Sequence, residues 1–396
     1  MSTADKVLEV YKKVNPSTYF IETIPEEYRI RRDFIYNVYQ RRLNFPIKMF
    51  SNSELIEFGC GTGEHSSFLL KWGAKGTFID MNEESLKRAK ALFEKFEIPD
   101  ENFELVHSTI EDFSSEKQYD IVLCQAVLHH VGNKQAAFKK MSSHVKDGGY
   151  FILGVGNNAG LFQVNLQRLI VNELAGDNDD QKYKIADVLF DEHISRSQKY
   201  GRRSREAIIY DTYINPKIDG LSVQEVIDLY SQNGMELYSS WPPVIPGFLG
   251  DPPNREPVDF SSISNITTLS ELIFSAHRND DIELLKQLDS DLSSSVGTFK
   301  SLISTIREIT PTSKIDIDSL QTNLQNCIQM LNNGFNPYLI YFEQLKSLLD
   351  EVHTILKLLP EGDLTEIKKS IESSEFLFKG TSGIGINWFI GFKNSN

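Results

Sequence analysis

The residues with the clearest chemical meaning are the glycines of the segment Glu54–Gly63, whose sequence is ELIEFGCGTG. Leu55–Phe58 form a short apolar run that is typical of a buried parallel strand. Gly59, Gly61 and Gly63 then permit a tight turn in which backbone, free of side chains, lies against a bound molecule. The pattern therefore predicts a strand that ends in a ligand-binding turn.

A helix over Glu64–Lys71 follows the turn and helps to narrow the class of ligand. A dinucleotide site would need its third glycine one residue later, at the position of Glu64. A phosphate-binding P-loop would close with Gly-Lys-Ser/Thr, which this turn lacks. Nicotinamide, flavin and nucleoside triphosphate sites are thereby disfavoured.

The run Glu57–Gly63 resembles the first motif of class I methyltransferases that use S-adenosylmethionine: an acidic residue, one further residue, then Gly-x-Gly-x-Gly. The resemblance implies an α/β fold, Rossmann-like, with a seven-stranded and mostly parallel sheet, helices on both faces and a helical insert. It also implies S-adenosyl-L-methionine as the cofactor. The motif residues expected at the cofactor are Glu57, Gly59, Cys60, Gly61 and Gly63. A purely structural turn is the alternative.

Lys75–Asp80 is predicted to be the second strand, and it ends in an acid about twenty residues after the glycine turn, the spacing at which one carboxylate reaches both hydroxyls of a ribose. The alternative for Asp80 is to cap the helix Glu83–Phe96, although Asn82 is at least as well placed for that. Met81 is expected beside the same ligand.

A third strand is predicted at Phe103–Val106, followed by the segment Ser108–Asp112. Relatives carry an acid or amide in this segment that binds the adenine amino group. Either Glu111 or Asp112 could fill that role, with Ile110 beside the cofactor, and either acid could instead be a solvated loop carboxylate.

The fourth strand, Tyr119–Cys124, leads into Gln125–His130. Ligands of open α/β sheets bind at the carboxyl ends of the strands, and the resemblance implies that this stretch lies under the transferred methyl group, with Gln125 at the cofactor. It lacks the Asn/Asp-Pro-Pro-Tyr/Phe signature of enzymes that methylate adenine or glutamine. A fifth strand, Val145–Gly154, completes five βα units.

Two neighbouring histidines are the candidates for a catalytic base. His129 and His130 point in different directions, so at most one should face the site. Neutral imidazole can remove the proton of an acceptor hydroxyl near neutral pH. We favour His130, with Tyr19 and Asp211 as more distant candidates; a structural histidine bonded to the backbone is an equal alternative for each.

The order of elements predicts six segments. These are an N-terminal helical lid (1–50), the cofactor-binding core (51–154), an insert that covers the substrate (155–221), a continuation of the core (222–240), a mainly helical insert (241–384) and the last core strand (385–396). In the continuation, Ser222–Asn233 is a helix with a capping box, and Glu236–Ser240 is a strand that needs Gly385–Lys393 as its antiparallel partner.

Apolar stripes in the second insert predict a small, independent helical bundle. One stripe contains Leu320, Leu324, Cys327, Ile328 and Leu331. The other contains Leu339, Phe342, Leu345, Leu349, Val352 and Leu356. The bundle could cover the site, form a homodimer or bind a partner.

Composition limits the functional class. Three cysteines among 396 residues cannot support a disulfide framework, and no apolar run suits a signal peptide or a membrane span. A net charge of −14 argues against a nucleic-acid surface. We expect a cytoplasmic enzyme with a small-molecule acceptor, no membrane partner and no metal ion. A protein or peptide acceptor, or a non-catalytic binding subunit, is the alternative.

One basic segment, residues 196–205, stands out from this acidic background. It either receives an acidic group of a substrate or forms a solvated helix face paired with carboxylates such as Glu192 and Glu206. The second interpretation is favoured, because surface basic runs are usually paired in this way.

Overall fold

The protein is built on a seven-stranded sheet in the order β3-β2-β1-β4-β5-β7-β6. The computed structural model describes residues 19–244 except 202, 216 and 217, then 339–379 and 385–394, with scattered positions within 8–12 and 265–326. The strands are β1 Glu54–Phe58, β2 Lys75–Asp80, β3 Phe103–His107, β4 Tyr119–Gln125, β5 Val145–Gly156, β6 Met235–Trp241 and β7 Ile386–Lys393. The predicted Rossmann-like sheet is confirmed.

β1 to β5 are parallel, and the strand order reverses between β1 and β4. Phe58 lies between Ile79 of β2 and Cys124 of β4, so these three strands end at one level. Parallel strands that diverge at such a reversal leave a crevice at their carboxyl ends. The glycine turn and the segment after β4 both emerge into this crevice.

β7 lies antiparallel between β5 and β6, where Phe389 pairs with Leu153 and Ser240. The predicted pairing of the C-terminal strand with Glu236–Ser240 is therefore confirmed. The strand is almost wholly buried. It completes the sheet by joining residues that are far apart in the chain.

Helices cover both faces of the sheet. On one face lie α1 Pro25–Tyr36, α2 Glu64–Lys71 and α3 Glu83–Lys95; on the other lie α4 Lys134–Ser142 and α9 Val223–Gln232. Asn82 caps α3, and Ser222 and Glu225 form the predicted capping box of α9. Each fully buried large side chain beneath these helices stabilises the fold by roughly 1.5–3 kcal/mol.

A third core lies among helices outside the sheet. The first insert supplies α5 Phe162–Ala175, α6 Asp179–Leu189, α7 Asp191–Gly201 and α8 Arg205–Ile209, and the second supplies α10 Leu339–Leu358 and α11 Leu364–Ser373. Their buried side chains form one cluster. The expectation of an independent bundle in the second insert is therefore wrong for its described part, which shares its core with the first insert.

The apolar stripe predicted for α10 is also displaced. Within residues 344–358, whose side chains are described, Leu348, Val352 and Ile355 are buried, and only Val352 belongs to the predicted stripe. Leu349 and Leu356 of that stripe are 49% and 41% exposed. Leucine and isoleucine occur on several sides of this helix, so spacing alone allows two neighbouring stripes. The five residues of the other predicted stripe, Leu320, Leu324, Cys327, Ile328 and Leu331, lie outside the described residues.

The N-terminal region is helical over α1 and continues as a π-helical turn, Asn37–Arg42. Among the residues described, no helix has the length and apolar character needed to cross a membrane. The cytoplasmic location, the homodimer and the lid role of residues 1–50 stay predictions.

Candidate functional site

A cavity of about 470 Å³ opens at the crevice between β1 and β4. This volume is within the usual range for small-molecule sites. Nine predicted site residues line it: Gly59, Gly61, Asp80, Met81, Ile110, Glu111, Gln125, His129 and His130. The more distant candidates Tyr19 and Asp211 line it as well. Other lining residues, none of them among the predicted cofactor or catalytic residues, include Asn82, Ser85, Ala126, Val127, Arg203 and Ile386.

The glycine turn brings backbone to the cavity for two different steric reasons. Gly59 has φ +79°, and a Cβ there would lie 2.3 Å from a methyl carbon of Val127. Gly63 has φ +73°, and a Cβ there would lie 2.9 Å from both Ala89 and Phe93 of α3. Gly59 thus permits the close approach of the turn to Val127 at the cavity, whereas Gly63 permits the close packing of the turn against α3.

Two motif residues expected at the cofactor are not among the lining residues. Among the described residues, the cavity lining includes neither Gly63, for the packing reason above, nor Cys60, whose side chain is buried in the core beneath α1–α3. Burial, together with Asp80 and Glu57, raises the pKa of the Cys60 thiol well above its usual value. Neither residue presents a reactive group to the cavity.

Asp80 closes the glycine turn from the end of β2. Its two carboxylate oxygens accept hydrogen bonds from the backbone N–H groups of Gly61 and Asn82, each at 2.8 Å. Burial raises the pKa of Asp80. Asn82, rather than Asp80, caps α3 by accepting from the N–H of Glu84. Each carboxylate oxygen accepts more than one hydrogen bond, so Asp80 can hold the turn and also bind hydroxyls of a ligand.

The loop after β3 supplies the neighbouring wall. Ile110 is buried there, and Glu111 lines the cavity. Asp112 is exposed and accepts a hydrogen bond of 2.8 Å from the hydroxyl of Thr109. Of the two acids left open by the sequence, Glu111 is the one placed at the cavity.

Glu57 is predicted to contact the cofactor, but its buried side chain lies beneath the cavity and is not among the lining residues. Its side chain accepts from the hydroxyl of Ser66 at 2.5 Å, and its other oxygen lies 3.2 Å from His65 Nδ1. The first turn of α2 therefore satisfies this buried carboxylate. A buried charge needs such partners, because an unpaired one would be strongly destabilising.

A hydrogen-bonded chain continues from His65 to the cavity. His65 Nε2 lies 3.0 Å from the hydroxyl of Tyr39, and Gln125 Nε2 lies 2.6 Å from that hydroxyl and 3.2 Å from His65 Nε2. Tyr39 belongs to the π-helical turn, an irregularity common at functional sites. No local pattern points to Tyr39, because only the tertiary fold brings it to the end of β4.

The two histidines differ in their surroundings. His129 is buried, and its Nδ1 accepts a hydrogen bond from the backbone N–H of Gly156 at 3.1 Å. Burial lowers the pKa of His129 to about 3. His130 is half-buried, with its ring 4.3 Å from that of His129. Because the acceptor nitrogen of His129 is used by the backbone, His130 is the better placed base.

Charged residues of the first insert form the far wall. Arg203 Nη2 lies 2.6 Å from Asp211 Oδ2, and both line the cavity. Burial alone would raise the pKa of Asp211, but Arg203 and His130 together hold it below its usual value. Within the basic segment, Arg196 and Arg205 also pair with carboxylates. This agrees with the favoured interpretation of that segment as paired with carboxylates.

The sheet has the order and direction of the class I methyltransferase fold, with the glycine turn after β1 and the acid at the end of β2. Residues 49–208 match the family model described as a methyltransferase domain. The match spans 160 of the 396 residues.

Particular relatives are similar over part of the chain. The ubiquinone biosynthesis O-methyltransferase of Rickettsia akari is 31% identical over 107 residues, which are 27% of this chain and 41% of the relative. That of Rickettsia typhi is 25% identical over 191 residues, 43% of this chain and 76% of the relative. The first relatives are thus matched over less than half of their length.

Solved structures show a more distant likeness. The N-methyltransferase NodS from Bradyrhizobium japonicum, in complex with S-adenosylhomocysteine, is 12% identical with a TM-score of 0.36; the match covers 59% of this chain and 88% of that one.

Proposed function

We propose that this protein is an S-adenosylmethionine-dependent methyltransferase that transfers a methyl group to a hydroxyl of a small molecule. The observation that carries the proposal is one cavity bounded by the glycine turn, by Asp80 and by His130. Its relatives named O-methyltransferases support an oxygen acceptor. Its size supports a small acceptor.

The chain offers a fitting group for each part of the cofactor. Asp80 would bind the ribose hydroxyls, because it is a buried carboxylate already fixed by two backbone bonds. Ile110 and Glu111 would contact the adenine. Gly59 and Gly61 line the cavity with backbone and would leave room there for the methionine portion. When bound, S-adenosylmethionine supplies an activated methyl group on a sulfonium.

His130 would manage the one proton of the reaction. As the acceptor oxygen takes the methyl group, the bond from sulfur to the methyl carbon would break and leave S-adenosylhomocysteine, while the O–H proton of the acceptor would pass to His130 and from there to solvent. The nearby Asp211 carboxylate stabilises a positive charge on His130, since opposite charges favour the ionised form. Alignment of the acceptor supplies the rest of the catalysis.

Binding of S-adenosylmethionine and S-adenosylhomocysteine, measured by titration calorimetry, tests the cofactor assignment. We expect Asp80→Ala to weaken binding by about 1.5–3 kcal/mol, the usual cost of losing a charged hydrogen-bond partner. Asp80→Asn keeps an acceptor for the turn and should weaken binding less. The matched control is Asp100→Ala, an exposed carboxylate before β3.

Failure of the unmodified protein to bind either compound would refute the assignment. Binding by both Asp80 variants that is as tight as that of the unmodified protein would refute it as well. Release of S-adenosylhomocysteine with a panel of phenols and alcohols then tests the acceptor class. Tight binding with no turnover on any member of the panel, and turnover on a peptide library instead, would favour a peptide acceptor.

A further inference from the structure

The hydrogen-bonded chain from Glu57 to Gln125 has a direction that its chemistry dictates. Glu57 is a carboxylate and only accepts hydrogen bonds. In a neutral imidazole, the proton of the hydrogen bond to Glu57 is therefore carried by Nδ1 of His65. The Nε2 of His65 is then an acceptor, and the hydroxyl of Tyr39 donates to it. The oxygen of Tyr39 in turn accepts from the amide nitrogen of Gln125.

Burial and the charge of Glu57 raise the pKa of Tyr39 well above its usual value, so this hydroxyl keeps its proton and can donate. The side chain of Tyr39 is fully buried, with its ring 5.0 Å from that of Phe50 and 6.2 Å from that of Trp72. The position of its hydroxyl is therefore fixed by packing. The amide nitrogen of Gln125 is held by its hydrogen-bonding contacts with Tyr39 and His65.

Because the nitrogen of the Gln125 amide faces Tyr39 and His65, its carbonyl oxygen is directed away from them. Gln125 is the last residue of β4 and lines the cavity beside the glycine turn. A fixed carbonyl dipole in a partly buried site stabilises positive charge placed at its oxygen.

We propose that Tyr39 and His65 are positioning residues that hold the carbonyl oxygen of Gln125 towards the cavity, where it favours a sulfonium over a neutral thioether. The proposal rests on the proposed function, since it concerns discrimination between S-adenosylmethionine and S-adenosylhomocysteine. It assigns the acidic residue of the glycine motif an indirect role. Glu57 sets the direction of donation along the hydrogen-bonded chain without touching the ligand.

The test is the ratio of the two dissociation constants, that of S-adenosylhomocysteine divided by that of S-adenosylmethionine, measured by calorimetry. Tyr39→Phe removes only the hydroxyl and keeps the buried ring. We expect it to lower the ratio about three- to tenfold, the range for one lost hydrogen bond. Gln125→Leu should lower the ratio to a similar extent.

The matched control is Tyr230→Phe. Tyr230 is equally buried and donates its hydroxyl to the backbone carbonyls of Phe151 and Phe389, within the sheet core. Its loss should leave the ratio unchanged. A ratio that falls equally in this control would show a general effect of stability and overturn the proposal.

Two further variants separate positioning from packing. The double variant Tyr39→Phe/Gln125→Leu should lower the ratio no further than Gln125→Leu alone, because both changes act through one amide. Glu57→Gln lets an amide donate to His65, which reverses the chain and turns the nitrogen of Gln125 to the cavity. It should lower the ratio even if Tyr39→Phe fails to fold.

The outcomes also distinguish this proposal from the proposed function. If the unmodified protein binds neither compound, the cofactor assignment fails, and the positioning role falls with it. If it binds both while Tyr39→Phe and Glu57→Gln keep the original ratio, the cofactor assignment stands and the positioning role is wrong. Additive effects in the double variant would likewise overturn it.

Discussion

Adjacent residues of one type have different chemistry in this site because their surroundings differ. The imidazole of His129 is buried and accepts a backbone hydrogen bond, which together favour its neutral form. The imidazole of His130 is half-buried at the cavity, near Asp211, whose pKa it helps to lower. The first environment suits a structural histidine, and the second suits a base.

Replacement of each histidine by asparagine should separate these roles. Asparagine can accept the Gly156 N–H in place of His129 Nδ1 but cannot act as a base at neutral pH. With an active hydroxyl acceptor, we expect His130→Asn to lower kcat about 10²–10⁴-fold with nearly unchanged cofactor affinity, and His129→Asn to keep most of the activity. Equal turnover by both variants and the unmodified protein would mean that catalysis proceeds by alignment alone.

At the scale of elements, the chain before α1 is held to α2 by one carboxylate. The side chain of Glu64, the first residue of α2, accepts hydrogen bonds from the backbone N–H groups of Tyr19 and Phe20 at 2.8 to 3.0 Å. The guanidinium of Arg31 lies 3.5 Å from the ring centre of Tyr19. Since Tyr19 lines the cavity, Glu64 couples the N-terminal segment to the helix behind the glycine turn.

This contact should make stability depend on pH. Burial raises the pKa of Glu64 from 4.5 to about 7. Between these values the folded protein holds a proton that the unfolded chain has released, so stability falls as pH rises through this window and levels off above about 7. As the pH rises through this window, we expect the free energy of unfolding of the unmodified protein to fall, relative to that of Glu64→Gln, by at most about 1.4 kcal/mol per pH unit.

Urea unfolding at several pH values measures this difference, with Glu94→Gln on the exposed face of α3 as the control. Amide hydrogen exchange at Tyr19 and Phe20 should also be faster in Glu64→Gln, because one carboxylate oxygen is lost. A difference in stability that does not vary with pH would contradict the assignment.

At the scale of the whole molecule, the two inserts fold on one another. The ring of Phe378 meets that of Phe190 at 5.3 Å, and its backbone N–H donates to the side chain of Gln163 at 2.8 Å. Arg196 of α7 donates to the carbonyl of Phe378. The described end of the second insert is thus tied to the insert that carries Arg203 and Asp211, and so to the cavity wall.

A pair of leucines on α10 tests this coupling. Leu348→Ala should destabilise the protein by about 2–5 kcal/mol, because it leaves a cavity in the shared core, whereas Leu349→Ala should cost little at a half-exposed position. In Leu348→Ala, hydrogen exchange should increase in α5 and α6 as well as in α10. An increase confined to α10 would mean that the inserts unfold separately.

The sequence alone determined the sheet, because its strands and turns depend on local patterns. The glycine run, the acid at the end of β2, the capping box of α9 and the unpaired C-terminal strand each carry a signal within a few residues, and β2 has its predicted bounds. Nine of twelve predicted site residues line the cavity for the same reason: strand ends at one edge of a parallel sheet must converge.

Tertiary structure decided what local pattern leaves open. Spacing could not choose between Leu348 and Leu349, because the choice depends on which neighbour covers the helix. Nor could it show that His65 links Glu57 to Tyr39, that Nδ1 of His129 accepts the N–H of Gly156, or that Arg203 reaches the cavity. Each of these depends on contacts between residues distant in sequence, which form only when the chain packs.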